Sequence, residues 1–254
     1  MTQRIGIIGG SGIDRPEDGF REETIATPFG NALVWTGAGD SDNQDVVFLS
    51  RHGVAHEVPP HRVNYRANIM ALHQLGIDRV VATFAVGGIA DDIPPGGAVA
   101  IDQVIDLTSG REHTFFDGGA MGLHHAPFTE PVCSALREAI VAKAPAFELS
   151  IRPTGTYICF NGPRFESAAE IRMSKLLGAD VVGMTAMPEA ALARELGIHY
   201  AGIAVSVNWA SGIRGALKLD FGVLDAIRGK LLPLILSVLC TTDPASCTCT
   251  EPDA

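Results

Sequence analysis

Five short segments of the chain carry side chains whose types and spacing suit an anion held beside a planar ring. The first is a glycine-rich turn at residues 6–12, where backbone N–H groups could converge on an anion and Ser11 adds a hydroxyl donor. The spacing is not G-x-G-x-x-G, and no Gly-Lys-Ser/Thr follows as in a Walker loop. Taken alone, this turn indicates only a tight connection after a strand.

The second segment places two nitrogen-bearing side chains at the end of an apolar run. Arg51 offers a fixed fork of N–H donors that suits two oxygens of a phosphate, and His52 adds a donor whose charge responds to its surroundings. An Arg at such a position is also common in surface ion pairs. Together with the glycine-rich turn, the two residues predict a small phosphate site.

The remaining segments suit a sugar and a purine-like ring. Phe165 could stack on the ring, and Glu166 could accept from a ring N–H, although a carboxylate is also favoured in the first turn of a helix. Met184 offers a soft apolar surface to a sugar, and Thr185 offers a hydroxyl. Asn208 follows an apolar run and can donate and accept at once. Each of these residues, taken singly, also has an ordinary structural explanation.

The elements that must position these residues alternate as in an α/β fold. Apolar runs predict strands at 4–8, 46–49, 80–86, 98–106, 154–159, 180–183 and 200–207. Helical spacing of apolar residues predicts helices at 64–75, 131–143, 167–177, 188–196 and 220–239, the last interrupted near Pro233. Most of the candidate residues follow a strand, where loops usually carry function.

Length and composition limit the classes of function. The chain has 254 residues, 46% of them hydrophobic and 19% charged, with a net charge of −10. This length supports one substantial core. The sequence has no Lys/Arg cluster of the kind that nucleic-acid binding needs, and no apolar run of the roughly 18 residues that span a bilayer. We expect a cytoplasmic homo-oligomer with neither nucleic acid nor membrane as a partner.

Five cysteines are too few for a disulfide framework in a chain of this length. Cys133, Cys159 and Cys240 stand among apolar neighbours and are expected to be small core residues. Cys247 and Cys249 form a Cys-x-Cys pair in a polar segment that has no His. We therefore expect one domain over 1–240, a solvated tail over 241–254 and no metal.

Together, and in this order, the segments resemble the trimeric nucleoside phosphorylases, in particular the methylthioadenosine phosphorylase branch. The similarity runs through GIIGGSGID, TPFG, RHG, PHRVNYRANI, DQVIDLTSGREHTFFDG, NGPRFES and VGMTAMPEAALARE. It implies a phosphorylase/hydrolase-like α/β single domain, with a mixed, partly barrelled sheet flanked by helices, assembled as a homotrimer. It implies no metal or organic cofactor, and it implies that inorganic phosphate is a co-substrate.

The resemblance also implies roles for the candidate residues. Five of them match the family's phosphate contacts: Ser11, Arg51, His52, Ala85 and Thr185. Met184 matches the residue beneath the ribose, and Phe165 matches the residue packed on the base. His56 and Pro60 match positions that a neighbouring subunit offers to the 5′ end of the substrate. Phe84 departs from the Thr that many members use for phosphate, so only its backbone can contribute.

Two further departures concern the base. The adenine-specific branch resembles GPRFSS and carries an Asp on the later strand, whereas this chain has Glu166 and Asn208, a pair similar to that of 6-oxopurine phosphorylases. A carboxylate accepts from the N1–H of hypoxanthine but meets the bare N1 of adenine lone pair to lone pair. A mismatch of this kind costs about 1–3 kcal/mol. Asn208 can donate to O6 or accept from a protonated N7.

The 5′ end separates the remaining substrates. Phosphorylases for inosine and guanosine usually present a His from the late helical region, but no His follows His199 here. The corresponding stretch, 211–223, instead offers an apolar wall of Ile213, Leu217, Leu219 and Val223. An apolar wall favours a methylthio group over a hydroxyl. The predicted reaction is phosphate-dependent cleavage of methylthioinosine to hypoxanthine and 5-methylthioribose 1-phosphate.

Four alternatives remain open at this point. The nearest is a general 6-oxopurine nucleoside phosphorylase acting on inosine and guanosine. An adenine-preferring methylthioadenosine phosphorylase, a hydrolase and a non-catalytic purine-binding protein are the others. Arg51 beside the glycine-rich turn favours an anionic nucleophile over water.

Overall fold

One mixed β-sheet forms the centre of the molecule, and α-helices lie on both of its faces. The structure, a computed structural model, describes residues 4–16, 18–37, 45–244, 247 and 249. The strands of the described residues are β1 (Ile5–Gly9), β2 (Phe20–Thr27), β3 (Gly30–Gly37), β4 (Val46–Ser50), β5 (Arg79–Gly88), β6 (Ala98–Ala100), β7 (Gln103–Asp106), β8 (Ile151–Arg152), β9 (Thr156–Cys159), β10 (Val181–Gly183) and β11 (His199–Trp209). The α-helices are α1 (Tyr65–Gln74), α2 (Ser134–Lys143), α3 (Ala168–Leu176), α4 (Ala186–Glu195) and α5 (Gly222–Thr241).

The strands lie in the order β2-β3-β4-β1-β5-β10-β9-β7. On the other edge of β5, β11 pairs with β5, β6 pairs with β11, and β8 pairs with β6. The central strands β4, β1, β5 and β11 are parallel, whereas β2 and β3 form an antiparallel hairpin. Parallel neighbours require crossover connections, and helices supply several of them. The prediction of an α/β unit with a mixed sheet flanked by helices is therefore confirmed.

The pleat of β5 divides the apolar core into two layers. Val80 and Ala82 belong to a cluster with residues of α1 and α4, whereas Val81 belongs to a cluster with residues of α2 and α5. Successive side chains of a strand point to opposite faces, so a strand covered by helices on both faces is apolar at every position. This burial explains the continuous apolar runs of the central strands.

β5 changes its neighbour halfway along one edge. β1 pairs with the first part of the strand, up to Ala82, and β10 pairs antiparallel with Gly87 and Gly88. Among the described residues, no strand pairs with positions 83–86 on this edge, although β11 pairs with them on the other. The sheet therefore opens into a split at the middle of β5, and the loops that follow β1 and β10 face it.

A capping box fixes the loop that precedes α3. The Ser167 hydroxyl accepts from the Glu170 N–H at 3.2 Å, and the Glu170 carboxylate accepts from the Ser167 N–H at 2.7 Å. Arg164 donates to the same carboxylate at 2.7 and 2.9 Å. These reciprocal bonds satisfy donors that the helix start would otherwise leave unpaired. The cap holds the residues just before it, Phe165 and Glu166, in a defined position.

The structure departs from the predicted elements at three main places. The predicted strand 98–106 is two strands, because the chain leaves β11 at Ile101 and pairs with β9 from Gln103 onward. The hairpin of β2 and β3 was missed, since its half-buried strands lack a continuous apolar run. The predicted interruption near Pro233 is absent: α5 continues through it, held by buried neighbours such as Leu232 and Leu234. No helix in the described ranges is long and apolar enough to cross a membrane.

Candidate active site

The split in the sheet contains a cavity of about 500 Å³. Residues from the loops after β1, β4 and β10, from the middle of β5 and from the end of β11 line it. Nearly all candidate residues from the sequence lie there: Ser11, Arg51, His52, His56, Pro60, Phe84, Ala85, Phe165, Glu166, Met184, Thr185 and Asn208. We call the polar groups from the loops after β1, β4 and β10 the donor-rich end of the cavity, and Glu166 with Asn208 the carboxylate end.

A buried ion pair forms the floor of the donor-rich end. The Arg51 guanidinium donates to both carboxylate oxygens of Glu189 at 2.6 and 2.7 Å, and to the Thr83 carbonyl oxygen at 2.9 Å. The Tyr200 hydroxyl donates to the same carboxylate at 2.7 Å. Burial tends to lower the pKa of Arg51, but the charge and hydrogen bonds of Glu189 outweigh it, so that pKa is raised and the guanidinium stays charged.

The Arg51 fork is thus held in one orientation before any ligand arrives. Three of its five N–H groups serve Glu189 and Thr83, which leaves two that these bonds do not use, on a side chain with no exposed surface. The Phe84 ring packs on the guanidinium, with 4.7 Å between its centroid and the Arg51 Cζ. Phe84, which cannot replace a Thr hydroxyl, here supports the arginine instead.

In the glycine-rich turn, the N–H groups of Gly10 and Gly12 already donate to other side chains of the protein and are not free to bind an anion. The Gly10 N–H donates to the Thr83 hydroxyl at 3.1 Å, and the Gly12 N–H donates to Asp14 at 3.2 Å. A Cβ on Gly10 would lie 2.6 Å from the Thr83 carbonyl oxygen and 2.8 Å from an Arg51 nitrogen. The expected converging cradle of backbone amides is therefore corrected: glycine is needed here for close packing against Arg51.

His52 is neutral and points a defined ring nitrogen at the cavity. Burial, with the charge of Arg51, lowers the pKa of His52 to about 4. Its Nδ1 lies 2.8 Å from the Val58 carbonyl oxygen. A carbonyl oxygen can only accept, so Nδ1 carries the proton and Nε2 is left as an acceptor. His52 therefore accepts a hydrogen bond from a ligand rather than donating one, in contrast to the role that its type suggested.

His56 lies beside Ser11 of the same chain. Its Nδ1 is 3.2 Å from an Asp14 carboxylate oxygen, and its Nε2 is 3.4 Å from the Ser11 hydroxyl. The hydrogen bond to Asp14 is the largest cause that raises the pKa of His56. His56 and Pro60 line the cavity of their own chain, and their place in a neighbouring subunit's 5′ pocket, which the resemblance implies, stays a prediction.

Two further donors complete this end. Thr185 is the N-cap residue of α4; its hydroxyl caps no backbone N–H but hydrogen-bonds to Tyr157, so it can donate to a ligand only by exchanging that bond. The Thr83 carbonyl faces the split, and alternate residues of a strand direct their backbone groups to the same edge, so the Ala85 N–H faces it too. The arrangement suits a small oxyanion.

At the carboxylate end, one oxygen of Glu166 lacks a hydrogen-bond partner among the described residues. Glu166 is buried, and this oxygen is its Oε1. Burial is the largest cause that raises the pKa of Glu166. An unpaired buried carboxylate oxygen is costly, so it is expected to receive a donor from a bound ligand. Phe165, which is 44% exposed, lies next to it at the edge of the cavity.

Asn208 presents an acceptor to the same space. Its Nδ2 donates to the Trp209 carbonyl oxygen at 2.8 Å, which identifies that atom as the nitrogen and leaves Oδ1 as the acceptor. An Asp at this position would set a carboxylate against the Trp209 carbonyl, lone pair to lone pair. The local backbone therefore favours the amide.

Gly162 and Arg111 hold in place the part of the cavity wall that includes Met184. Gly162 has φ +63°, and a Cβ there would lie 2.4 Å from the Met184 sulfur, so only glycine allows this approach. Arg111 donates to the Met184 and Asn161 carbonyl oxygens at 2.8 and 3.0 Å and also to that of Met187. Arg111 thereby holds together the loops that carry the cavity wall.

The apolar part of the wall differs from the prediction. Ile213 packs in a small cluster with residues of α3, and Leu217 is partly exposed. Neither is among the described residues that line the cavity, whereas Leu219, which was also predicted, lies there together with Phe221. The chain makes turns over 211–215 before it returns to the cavity, which displaces the wall by a few residues. The predicted apolar wall is therefore present in part: Leu219 contributes to it, and Phe221 was not predicted.

Glu189 is the main residue that sequence reasoning missed. It stands in the run AMPEAALA, where its neighbours are apolar and buried. A carboxylate is almost never fully buried unless it is paired, so its place in an apolar helix was a usable signal. Its partner could not be read from the sequence, because Arg51 is 138 residues away.

Comparison with known proteins connects this geometry to one family. Residues 4–226 match the Phosphorylase superfamily. The chain is 45% identical over 246 residues to the 6-oxopurine nucleoside phosphorylase of Pyrococcus furiosus, covering 93% of this chain and 92% of the relative. It is 46% identical over 211 residues to a probable S-methyl-5′-thioinosine phosphorylase of Thermodesulfovibrio yellowstonii, covering 83% and 79%.

A solved structure agrees in fold. A double mutant of the adenosine/methylthioadenosine phosphorylase of Schistosoma mansoni, in complex with adenine, matches with a TM-score of 0.83 at 31% identity, over 92% of this chain and 91% of that chain. These three similar proteins are all named as phosphorylases but differ in the nucleoside for which they are named.

The buried pair gives a first prediction. Glu189→Gln removes the negative charge and leaves the Arg51 guanidinium uncompensated, so we expect the free energy of unfolding in urea to fall by about 3–5 kcal/mol. Phosphate should then raise the unfolding midpoint more in this variant than in the wild type, because the anion supplies the missing charge.

Glu148→Gln is the matched control, since Glu148 also forms an ion pair, with Lys230 at 2.7 Å, but is exposed. Its unfolding midpoint should match the wild type. If Glu189→Gln were as stable as this control, the ion pair would not be the support described.

Proposed function

Because this chain belongs to the phosphorylase superfamily and is a nucleoside phosphorylase, we propose that its substrate is S-methyl-5′-thioinosine. Inorganic phosphate would cleave the glycosidic bond to give hypoxanthine and 5-methylthioribose 1-phosphate. The observation that carries the proposal is the unpaired, buried Oε1 of Glu166. The residues that we propose to contact the base, the phosphate and the 5′ group each support this substrate.

The base end favours a purine with a proton on N1. Hypoxanthine carries N1–H, which supplies the donor that the Glu166 carboxylate lacks in the free protein. Adenine has a bare N1, which would leave the carboxylate unpaired and opposed to a second lone pair. Leaving such a group unsatisfied costs about 1–3 kcal/mol, which corresponds to roughly 5- to 150-fold in affinity or rate. Glu166 therefore supports a 6-oxopurine over adenine.

Asn208 supports departure of the purine. When the glycosidic bond breaks, negative charge spreads into the imidazole ring, and protonation of N7 neutralises it. The free Oδ1 of Asn208 can accept from that N7–H, because Nδ2 is already bonded to the Trp209 carbonyl. The second N–H of the amide remains for O6. An acceptor fixed in place before reaction stabilises the leaving group without reorganisation.

The anion end supports phosphate as the nucleophile. Arg51, Ser11, Thr185 and the Ala85 N–H supply donors, while the neutral His52 offers an acceptor at Nε2. We expect phosphate to bind with one P–OH directed at this nitrogen. The glycosidic bond breaks toward an oxocarbenium-like sugar cation, and a phosphate oxygen adds to C1′. Placement and charge stabilisation then supply the catalysis, with no covalent enzyme intermediate.

The sugar and its 5′ group would lie between these ends. Met184 lines the cavity with its thioether, as expected for the surface beneath a ribose. Leu219, Phe221 and Pro60 form an apolar region that suits a methylthio group. A 5′-hydroxyl would gain less there, since the hydrogen bonds of His56 are already made with Asp14 and Ser11.

A second candidate substrate class is inosine and guanosine. Two observations favour it: the 45% identical relative of P. furiosus is named a 6-oxopurine nucleoside phosphorylase, and His56 lies in the cavity, where it could exchange its contact with Ser11 for a 5′-hydroxyl. This candidate shares the base and phosphate ends with the proposal. The two differ only in the 5′ group.

A substrate panel tests the proposal. With phosphate present, we expect kcat/KM to be highest for methylthioinosine, lower for inosine and guanosine, and roughly 5- to 150-fold lower for methylthioadenosine. Glu166→Gln should lower kcat/KM for methylthioinosine and narrow its lead over methylthioadenosine, because an amide can donate to a bare N1. Product analysis should show no free methylthioribose.

Glu138→Gln, at an exposed position on α2, is the control and should keep the wild-type ranking. Equal rates for inosine and methylthioinosine would establish the second candidate. Faster cleavage of methylthioadenosine than of methylthioinosine by the wild type would contradict the role given to Glu166.

The raised pKa of Glu166 predicts a pH dependence. The carboxylate form accepts from N1–H, and this interaction is present above the pKa and lost as the pH falls through it, because a protonated carboxyl would face N1–H donor to donor. At saturating phosphate, kcat/KM for methylthioinosine should therefore fall at a higher pH than an unperturbed Glu would give. Glu166→Gln should lack this acid limb. An unchanged limb in that variant would assign it to another group.

A further inference from the structure

Three distant parts of the chain bring four metal-binding side chains together on the side of the sheet that carries α2 and α5. Cys133 is the N-cap residue of α2, His199 is the first residue of β11, and Cys247 and Cys249 belong to the C-terminal segment. Their sulfur and ring nitrogen atoms all lie within 4.8 Å of one another. The His199 Nδ1 is 3.2 Å from the Cys249 sulfur. We call these four residues the sulfur cluster.

The sulfur cluster lies inside the fold rather than on a solvated tail. Cys133 and Cys249 are buried, and both pack in the apolar cluster of α2 and α5. Arg79 donates to the Thr242 carbonyl oxygen at 2.6 Å and to that of Leu239 at 3.3 Å, which anchors the end of α5 beside β5. The expectation that Cys249 is solvated is therefore wrong, and so is the core position expected for Cys240, which is exposed.

From this geometry we infer that the sulfur cluster binds one zinc ion. Three cysteine sulfurs and one imidazole nitrogen form a Cys₃His set, which is a closed structural zinc site. A tetrahedral ion with Zn–S bonds of about 2.3 Å places neighbouring sulfurs about 3.8 Å apart, so a small contraction of the present spacing suffices. On binding, the three thiols release their protons to solvent, and the imidazole binds as the neutral base.

The donor set favours a metal over disulfide formation. Oxidation of Cys247 with Cys249, or of either with Cys133, would use two sulfurs and leave the third beside His199 without a role. A zinc ion uses all four groups at once and is bound without an oxidant.

None of the four residues lines the cavity, so the ion would be structural, tying the C-terminal segment to α2 and β11. This inference does not depend on the identity of the nucleoside, and it replaces the expectation of no metal.

Metal content tests the inference directly. Protein purified without chelators or added metal should carry about one zinc per chain by elemental analysis. Cys249→Ser and Cys133→Ser should each lower that content at least tenfold. Cys240→Ser is the matched control and should keep full zinc, because Cys240 is exposed and lies outside the sulfur cluster. A strong chelator should lower the melting temperature of the wild type.

Cobalt substitution provides a readout that requires no variant to fold. Wild-type protein reconstituted with Co²⁺ should show the intense visible bands of tetrahedral cobalt and a thiolate-to-cobalt charge-transfer band. These should be absent in Cys249→Ser and unchanged in Cys240→Ser. Metal-free native protein that takes up neither Zn²⁺ nor Co²⁺ would overturn the inference. A native disulfide that involves any cysteine of the sulfur cluster, found by mass spectrometry without reductant, would also overturn it.

Discussion

The buried pair of Arg51 and Glu189 is the interaction on which the rest of the site depends. It joins the end of β4 to α4, reaches β5 through the Thr83 carbonyl oxygen and reaches β11 through the Tyr200 hydroxyl. These elements border the split in the sheet, so the same bonds that neutralise a buried charge also set the dimensions of the cavity. The guanidinium is held in one orientation by these bonds, which reduces the reorganisation needed on binding.

The two charged groups of the cavity differ in their hydrogen bonding, because Arg51 is paired with Glu189 and one oxygen of Glu166 has no partner among the described residues. At the donor-rich end, the cation is already neutralised by Glu189, so the proposed phosphate would be held mainly by directed donors and by the proton it can offer to His52. At the base end, the carboxylate oxygen of Glu166 has no partner among the described residues. A ligand gains most where the protein lacks a hydrogen bond, so under the proposed function specificity for the base is concentrated at Glu166. Under this proposal, the residues for phosphate, which every phosphorolytic reaction uses, are separate from Glu166, which distinguishes one base from another.

Much of this arrangement could be predicted from sequence, and the exceptions have physical reasons. The central strands were predictable because burial on both faces makes them continuously apolar, whereas the half-buried strands of the β2–β3 hairpin lack that signal. The candidate residues follow strands, and parallel strands bring their ends together. Pairings between distant positions left no local trace: Arg51 with Glu189, and Cys133 and His199 with the Cys-x-Cys pair. The tautomer of His52 likewise depends on a carbonyl oxygen that only the folded loop supplies.

The most direct test of the account is a crystal structure of the protein with hypoxanthine and phosphate bound together. The account predicts a Glu166 carboxylate oxygen about 2.6–3.2 Å from N1 of the base, with the phosphate beside Arg51 and Ser11. A Glu166 side chain turned away from the base, or an anion located far from Arg51, would contradict it.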